Sequence, residues 1–117
     1  MSLVARALEE AGIPTIVVGS AKDIVEYCGV PRYLFTDFPL GNPCGKPYDR
    51  ESQRTVMDSA LGVLATASQP GTTVETDLVW DDSGAWKDAY MRVSDENRES
   101  LRAAGEARRA ERASWHR

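Results

Sequence analysis

The run Pro14-Thr15-Ile16-Val17-Val18 constrains the fold more than any other stretch of the chain. It is short, continuously apolar and rich in β-branched residues, whose stiff side chains pack well on a pleated surface. Apolar residues at consecutive positions face both sides of a strand, the pattern of a parallel strand covered on both faces. Before it, Val4, Ala7, Leu8 and Ala11 recur at helical spacing, with Arg6, Glu9 and Glu10 on the other side. Gly12 supplies the helix stop. After it, Gly19-Ser20 makes a turn, Ser20 or Asp23 is expected to cap a short helix from Ala21 to Cys28, and Gly29 ends that helix. Arg32-Tyr33-Leu34-Phe35-Thr36 reads as a second strand. Helix–strand–helix–strand with tight connections predicts an α/β domain, Rossmann-like or flavodoxin-like. Its strands should run parallel near 14–18 and 33–36, with helices on both faces.

Further along, Asp49 is placed to cap a helix from Glu51 to about Ala67, with Val56, Ala60, Leu61 and Leu64 as its apolar stripe. Gln69-Pro70-Gly71 breaks it. Thr73 to Trp80 alternates imperfectly and reads as an edge strand or an extended arm. From Trp86 the character changes: Lys87, Tyr90, Met91 and Val93 suit a short helix with one docking side. Beyond Ser94 the chain is charged and alanine-rich, and Leu101 and Trp115 are its large apolar residues. Such a tail has helical propensity but little to bury. The expected organisation is an α/β domain over 1–80 and a partner-binding or exposed tail, charged and helical or extended, over 81–117.

The 117 residues suffice for one modest core, and the 42% hydrophobic content is that of a globular chain. With 18 acidic against 14 basic residues, nucleic acid is not the expected partner, because phosphate neutralisation needs a basic surface. The opening residues do not read as a secretory signal, and no apolar run is long enough to span a bilayer, so a cytoplasmic protein without a membrane partner is expected. The two cysteines, Cys28 and Cys44, are then expected to stay reduced.

Sheets of this kind bind ligands beyond the carboxyl ends of their strands. Two loops qualify: Gly19-Ser20-Ala21-Lys22 and the long stretch from Asp37 to Asp49. The second holds three prolines and two glycines, so it is stiff and specifically shaped. Within it, Cys44 lies beside Gly45 and Lys46, where an ammonium and backbone N–H groups favour a thiolate. Asn42 can both donate and accept hydrogen bonds. The sequence Gly41-Asn42-Pro43-Cys44-Gly45-Lys46 departs from the phosphate-loop pattern, since Pro47 follows the lysine and the first glycine is misplaced. The single His116 sits next to the C-terminus, without the neighbours a catalytic imidazole needs. Neither cysteine has zinc-ligand spacing, and no metal site is expected. Asp81-Asp82-Ser83-Gly84 is read as a turn.

Leu8-Glu9-Glu10-Ala11-Gly12-Ile13-Pro14-Thr15 resembles the E-x-x-G-I-P-(T/V) stretch of the glycine/sarcosine/betaine reductase component B and D-proline reductase family. Phe38-Pro39-Leu40-Gly41-Asn42-Pro43 resembles that family's (H/F)-P-L-G-N-P loop at a similar distance downstream. The helix with Ala60, Leu61 and Leu64 and the arm at Thr72-Thr73-Val74 also fit, so the likeness runs from about Leu3 to Val79. The family's redox-active selenocysteine or cysteine lies just upstream of the helix corresponding to Leu3–Ala11. No cysteine precedes that helix here, and neither Cys28 nor Cys44 occupies its place.

The resemblance implies a subunit of a split thiol- or selenol-dependent reductase that cleaves a carbon–heteroatom bond in a small substrate. A partner subunit would carry the nucleophilic cysteine or selenocysteine, and this chain would hold no cofactor. It would supply a pocket wall in which Asp37, Gly41, Asn42, Gly45 and Lys46 bind substrate and Cys44 is the candidate reactive thiol. Purified alone, it would be inactive. A cut through one sheet would also leave strand edges and apolar side chains for an obligate heteromeric contact. The alternative is a non-catalytic small-ligand-binding or accessory, regulatory α/β domain.

Overall fold

The computed structural model describes residues 1–90 and 92–115. Met91 and His116, both considered above, lie outside them. The described residues form α1 (Ser2–Glu10), β1 (Val17–Gly19), α2 (Lys22–Tyr27), β2 (Arg32–Phe35), α3 (Arg50–Thr66), β3 (Thr72–Glu75), α4 (Ala85–Ala89) and α5 (Asp95–Trp115). The three strands make one parallel sheet in the order β1-β2-β3. In register, Val18 lies beside Leu34 and Leu34 beside Val74. The chain is an α/β protein with parallel strands and a helical C-terminal region. The segment after Gly71 is an edge strand, and it pairs with β2 over its whole length.

Alternation along β2 sends Leu34 and Tyr33 to opposite faces. Leu34 packs with Val56, Ala60 and Val63 of α3, and Ile16, Val18, Ala67 and Leu78 close round that cluster. On the other face Lys22 of α2 lies over the Phe35 ring, 5.7 Å from its centroid, and Tyr33 is fully buried. Burial, with the Glu26 and Asp23 carboxylates of α2 next, pushes the Tyr33 phenol up to about 12.

Two local expectations need correction. Neither Ser20 nor Asp23 caps α2: its N-cap is Ala21, without a side-chain bond. The Ser20 hydroxyl is engaged instead with Thr36, 3.2 Å away on the neighbouring strand's end. The buried stripe of α3 is Ser52, Val56, Ala60 and Val63, and Leu61 is exposed. Val63 lies closer to Ala60 round the helix than Leu61 does, on its other side, and Leu34 packs against that side.

The chain divides into two compact units, Met1–Lys87 and Asp88–Arg117. The first holds the sheet. In the second, α5 is charged along its length and carries the surface ion pairs Arg98–Asp95 and Arg102–Glu106, each 3.1 Å. Leu101 on α5 is exposed. No helix among the described residues is long and apolar enough to cross a membrane.

Candidate functional site

The carboxyl ends of β1 and β2 are tied to the long loop by one chain of hydroxyls. Thr36 follows β2 and is completely buried. Its Oγ1 donates to the Pro43 carbonyl at 3.0 Å. That bond uses the only Thr36 hydroxyl proton, so Ser20 Oγ donates to Thr36 Oγ1 across 3.2 Å. The Thr36 N–H donates to Gly19 O. A turn after one strand, the end of the next and the middle of the loop are thereby fixed to each other.

The loop is also pinned to the start of α3. Asp49 caps the helix, accepting from the N–H groups of Glu51 and Ser52 at 3.1 and 3.2 Å. The Ser52 N–H, with smaller help from the Ser52 hydroxyl, the Glu51 N–H and Lys46, holds the Asp49 carboxyl below its ordinary value. Ser52 Oγ accepts from Lys46 N, and Gln53 Nε2 donates to Lys46 O. At Gly45, φ is +116°, and a Cβ there would sit 2.8 Å from the Gln53 backbone. Only glycine allows the loop this close to α3. Tyr48, with φ +62°, holds a further left-handed position just before the cap.

Anchored in this way, Gly41, Asn42, Pro43, Cys44, Gly45, Pro47, Gln53 and Met57 line an open concavity of about 620 Å³. Of the residues expected at a site, Gly41, Asn42, Cys44 and Gly45 meet here. Gly45 is buried in the wall, Asn42 is half-buried, and the Cys44 thiol is exposed. Asp37 and Lys46 are placed elsewhere. Asp37 is ion-paired with Lys87. Lys46 lines an adjoining depression with Phe38, Asp49, Ser52 and Leu78, and its charge acts on the carboxylates of Asp49 and Asp81. Gln53 and Met57 are not legible as site residues in the sequence because they sit on α3 and reach the loop only through the fold.

Cys28 and Cys44 are both free thiols. Asp81 forms the expected turn, its Oδ1 accepting from the N–H groups of Ser83 and Gly84 at 2.9 and 2.7 Å. Among the described residues no group of three or more His, Cys, Asp or Glu side chains is placed to hold a metal ion.

These features define an α/β protein whose one stiff, glycine-shaped loop forms a concave wall beyond the carboxyl end of a parallel sheet. The chain is similar to a reductase subunit. Over 72 residues it is 33% identical to D-proline reductase subunit gamma of Acetoanaerobium sticklandii, a stretch covering 62% of this chain and 30% of that protein. The chain thus spans less than a third of the length of this curated relative. No protein-family model matches it, and neither does any solved structure.

Proposed function

We propose that this chain is a subunit of a thiol- or selenol-dependent reductase that cleaves a carbon–heteroatom bond in a small substrate. The similarity to D-proline reductase subunit gamma carries this reading. A thiolate or selenolate on a partner subunit attacks carbon, forming a carbon–sulfur or carbon–selenium bond as the heteroatom leaves with the bonding electron pair and takes up a proton. A second thiolate then attacks that sulfur or selenium, so that a disulfide or selenosulfide forms, and the carbon leaves with the electron pair and takes up a proton. The dithiol reductant restores the free thiols. This chain contributes the wall formed by Gly41, Asn42, Cys44 and Gly45, with Gln53 and Met57 behind them. The Asn42 amide is suited to bind a polar group of the substrate. Cys44 is the exposed thiol of that wall. Asp37 is ion-paired with Lys87, and Lys46 lines the adjoining depression.

The test is reconstitution with the cysteine- or selenocysteine-bearing polypeptide, using D-proline and other small amino acids as substrates and a dithiol as reductant. In the active complex, Asn42→Ala is expected to raise KM about tenfold, the weight of a lost hydrogen bond to a charged group. Tight binding of such a ligand by the chain alone, with no turnover on adding the partner, would favour an accessory ligand-binding domain instead.

A further inference from the structure

The fold sorts the two polar atoms of the Gln53 amide. A carbonyl oxygen only accepts, so the amide must turn its NH2 group to the Lys46 carbonyl, to which Nε2 donates at 2.8 Å. That carbonyl is itself fixed, because it also accepts from the Asp49 N–H at 3.2 Å and so closes a turn before the α3 cap. The stem of Gln53 is fixed too, since the Gly45 backbone lies against its Cα and Cγ. Gln53 Oε1 is left as the free end of the amide. It accepts no hydrogen bond from the described residues. Nor is it one of their buried side-chain atoms without a partner, which are Arg32 Nε, Tyr33 Oη and Thr76 Oγ1. It is therefore an acceptor open to solvent, on a half-buried side chain that lines the concavity. None of the residues lining that concavity is Asp, Glu, Lys or Arg. A ligand nitrogen meets no carboxylate in this wall, so the wall does not tell one cationic nitrogen from another by charge. A pre-set acceptor tells them apart by whether an N–H is present, because rotamer freedom has already been given up and the acceptor goes unpaired against the wrong ligand.

We infer that Gln53 is a specificity-determining residue of this wall. Its Oε1 accepts an N–H of the substrate, so the wall selects small primary and secondary amines over analogues whose nitrogen is fully substituted. This rests on the reductase reading above and names which substrates that site admits. Met57, one turn further along α3 and also in the wall, offers no such acceptor and contributes only apolar contact.

The experiment uses the isotope-labelled full chain, alone and with the cysteine- or selenocysteine-bearing polypeptide. Each sample is titrated with D-proline and with N,N-dimethyl-D-proline, which has the same charges but no N–H. Binding is read from the amide resonances of Gly41, Cys44 and Gly45, and turnover of both compounds is measured in the mixture. D-proline is expected to bind about tenfold more tightly than the dimethyl compound, the weight of one hydrogen bond to a charged group. Gln53→Met and Gln53→Glu both lose the bond to the Lys46 carbonyl, and only the glutamate keeps an acceptor. Each loses one bond at a half-buried position, so both are expected to keep the fold, which the amide spectrum checks. The preference should vanish in Gln53→Met and persist in Gln53→Glu. A purely structural role through Lys46 would move both variants alike. Equal binding of the two compounds by the native chain, the same outcome in both variants, or binding of neither compound would overturn the inference. Any of these together with turnover by the native complex overturns the inference alone and leaves the reductase reading standing. A Gln53-dependent preference without turnover would count against the reductase reading and leave Gln53 as the N–H acceptor of a binding wall.

Discussion

Gly45 is the position in the loop where one methyl group does most harm. Gly45→Ala faces both a positive φ and a collision with the Gln53 backbone. It is expected to destabilise the chain by about 2 kcal/mol or more in urea unfolding. Gly41 also has positive φ (+99°), but a Cβ there meets open space. Gly41→Ala should cost only about 1 kcal/mol. Equal losses would show that the approach of the loop to α3 is not what demands glycine. Thr36→Val keeps the shape but strands the Pro43 carbonyl and the Ser20 hydroxyl, at a cost of about 1–3 kcal/mol. Acid sensitivity is also set residue by residue. Glu9 is held below its ordinary 4.5, first by the Thr15 N–H and, to a smaller extent, by the Thr15 hydroxyl and Arg32. Asp49 and Asp81 are held below 3.8, Asp49 first by the Ser52 N–H and Asp81 first by the Ser83 hydroxyl. In the unfolded chain these groups take up protons at higher pH than in the folded one. Their stabilisation is therefore complete above the ordinary carboxylate range and fades as pH falls through and below it. Urea midpoints should drop from pH 5 to pH 3, and Glu9→Gln should flatten the drop. A flat native profile would contradict these assignments. Asp49 and Asp81 were legible in the sequence because each bonds to backbone two or three residues away. The Ser20–Thr36 bond was not, because it joins residues 16 apart that only strand pairing brings together.

At the scale of elements, patterns that depend on local spacing were readable and choices made by packing were not. Strands β1 and β2 and the long helix α3 follow from β-branched runs, helical spacing and the Asp49 cap. The edge strand β3 was ambiguous because its polar, imperfect alternation acquires a partner only when β2 lies beside it. Within α3, Val56 and Ala60 were read correctly as core, while Leu61 gave way to Val63. Val63→Ala is accordingly expected to cost about 2 kcal/mol and Leu61→Ala less than about 0.5 kcal/mol. A larger loss at Leu61 would place the helix in the other rotation. The loop between β2 and α3 announced itself through its prolines and glycines. The groove it forms with Gln53 and Met57, and the engagement of Asp37 by Lys87, depend on residues distant in sequence.

For the whole molecule, the sheet-bearing unit has its own core and the second unit is a charged helical segment. Deleting the residues after Val93 is expected to leave the far-ultraviolet signature of the α/β body and its cooperative unfolding in place. If the deleted segment contacts the partner, the truncated chain will associate more weakly. The central claim is that this chain works as one subunit of a reductase, and turnover tests it most directly. Dithiol oxidation coupled to cleavage of D-proline or a related small substrate should be absent for the purified chain. It should appear when the cysteine- or selenocysteine-bearing polypeptide is added, and exceed what that polypeptide achieves alone. Turnover by the isolated chain, or a partner whose rate is unchanged or lowered by adding it, would contradict the account.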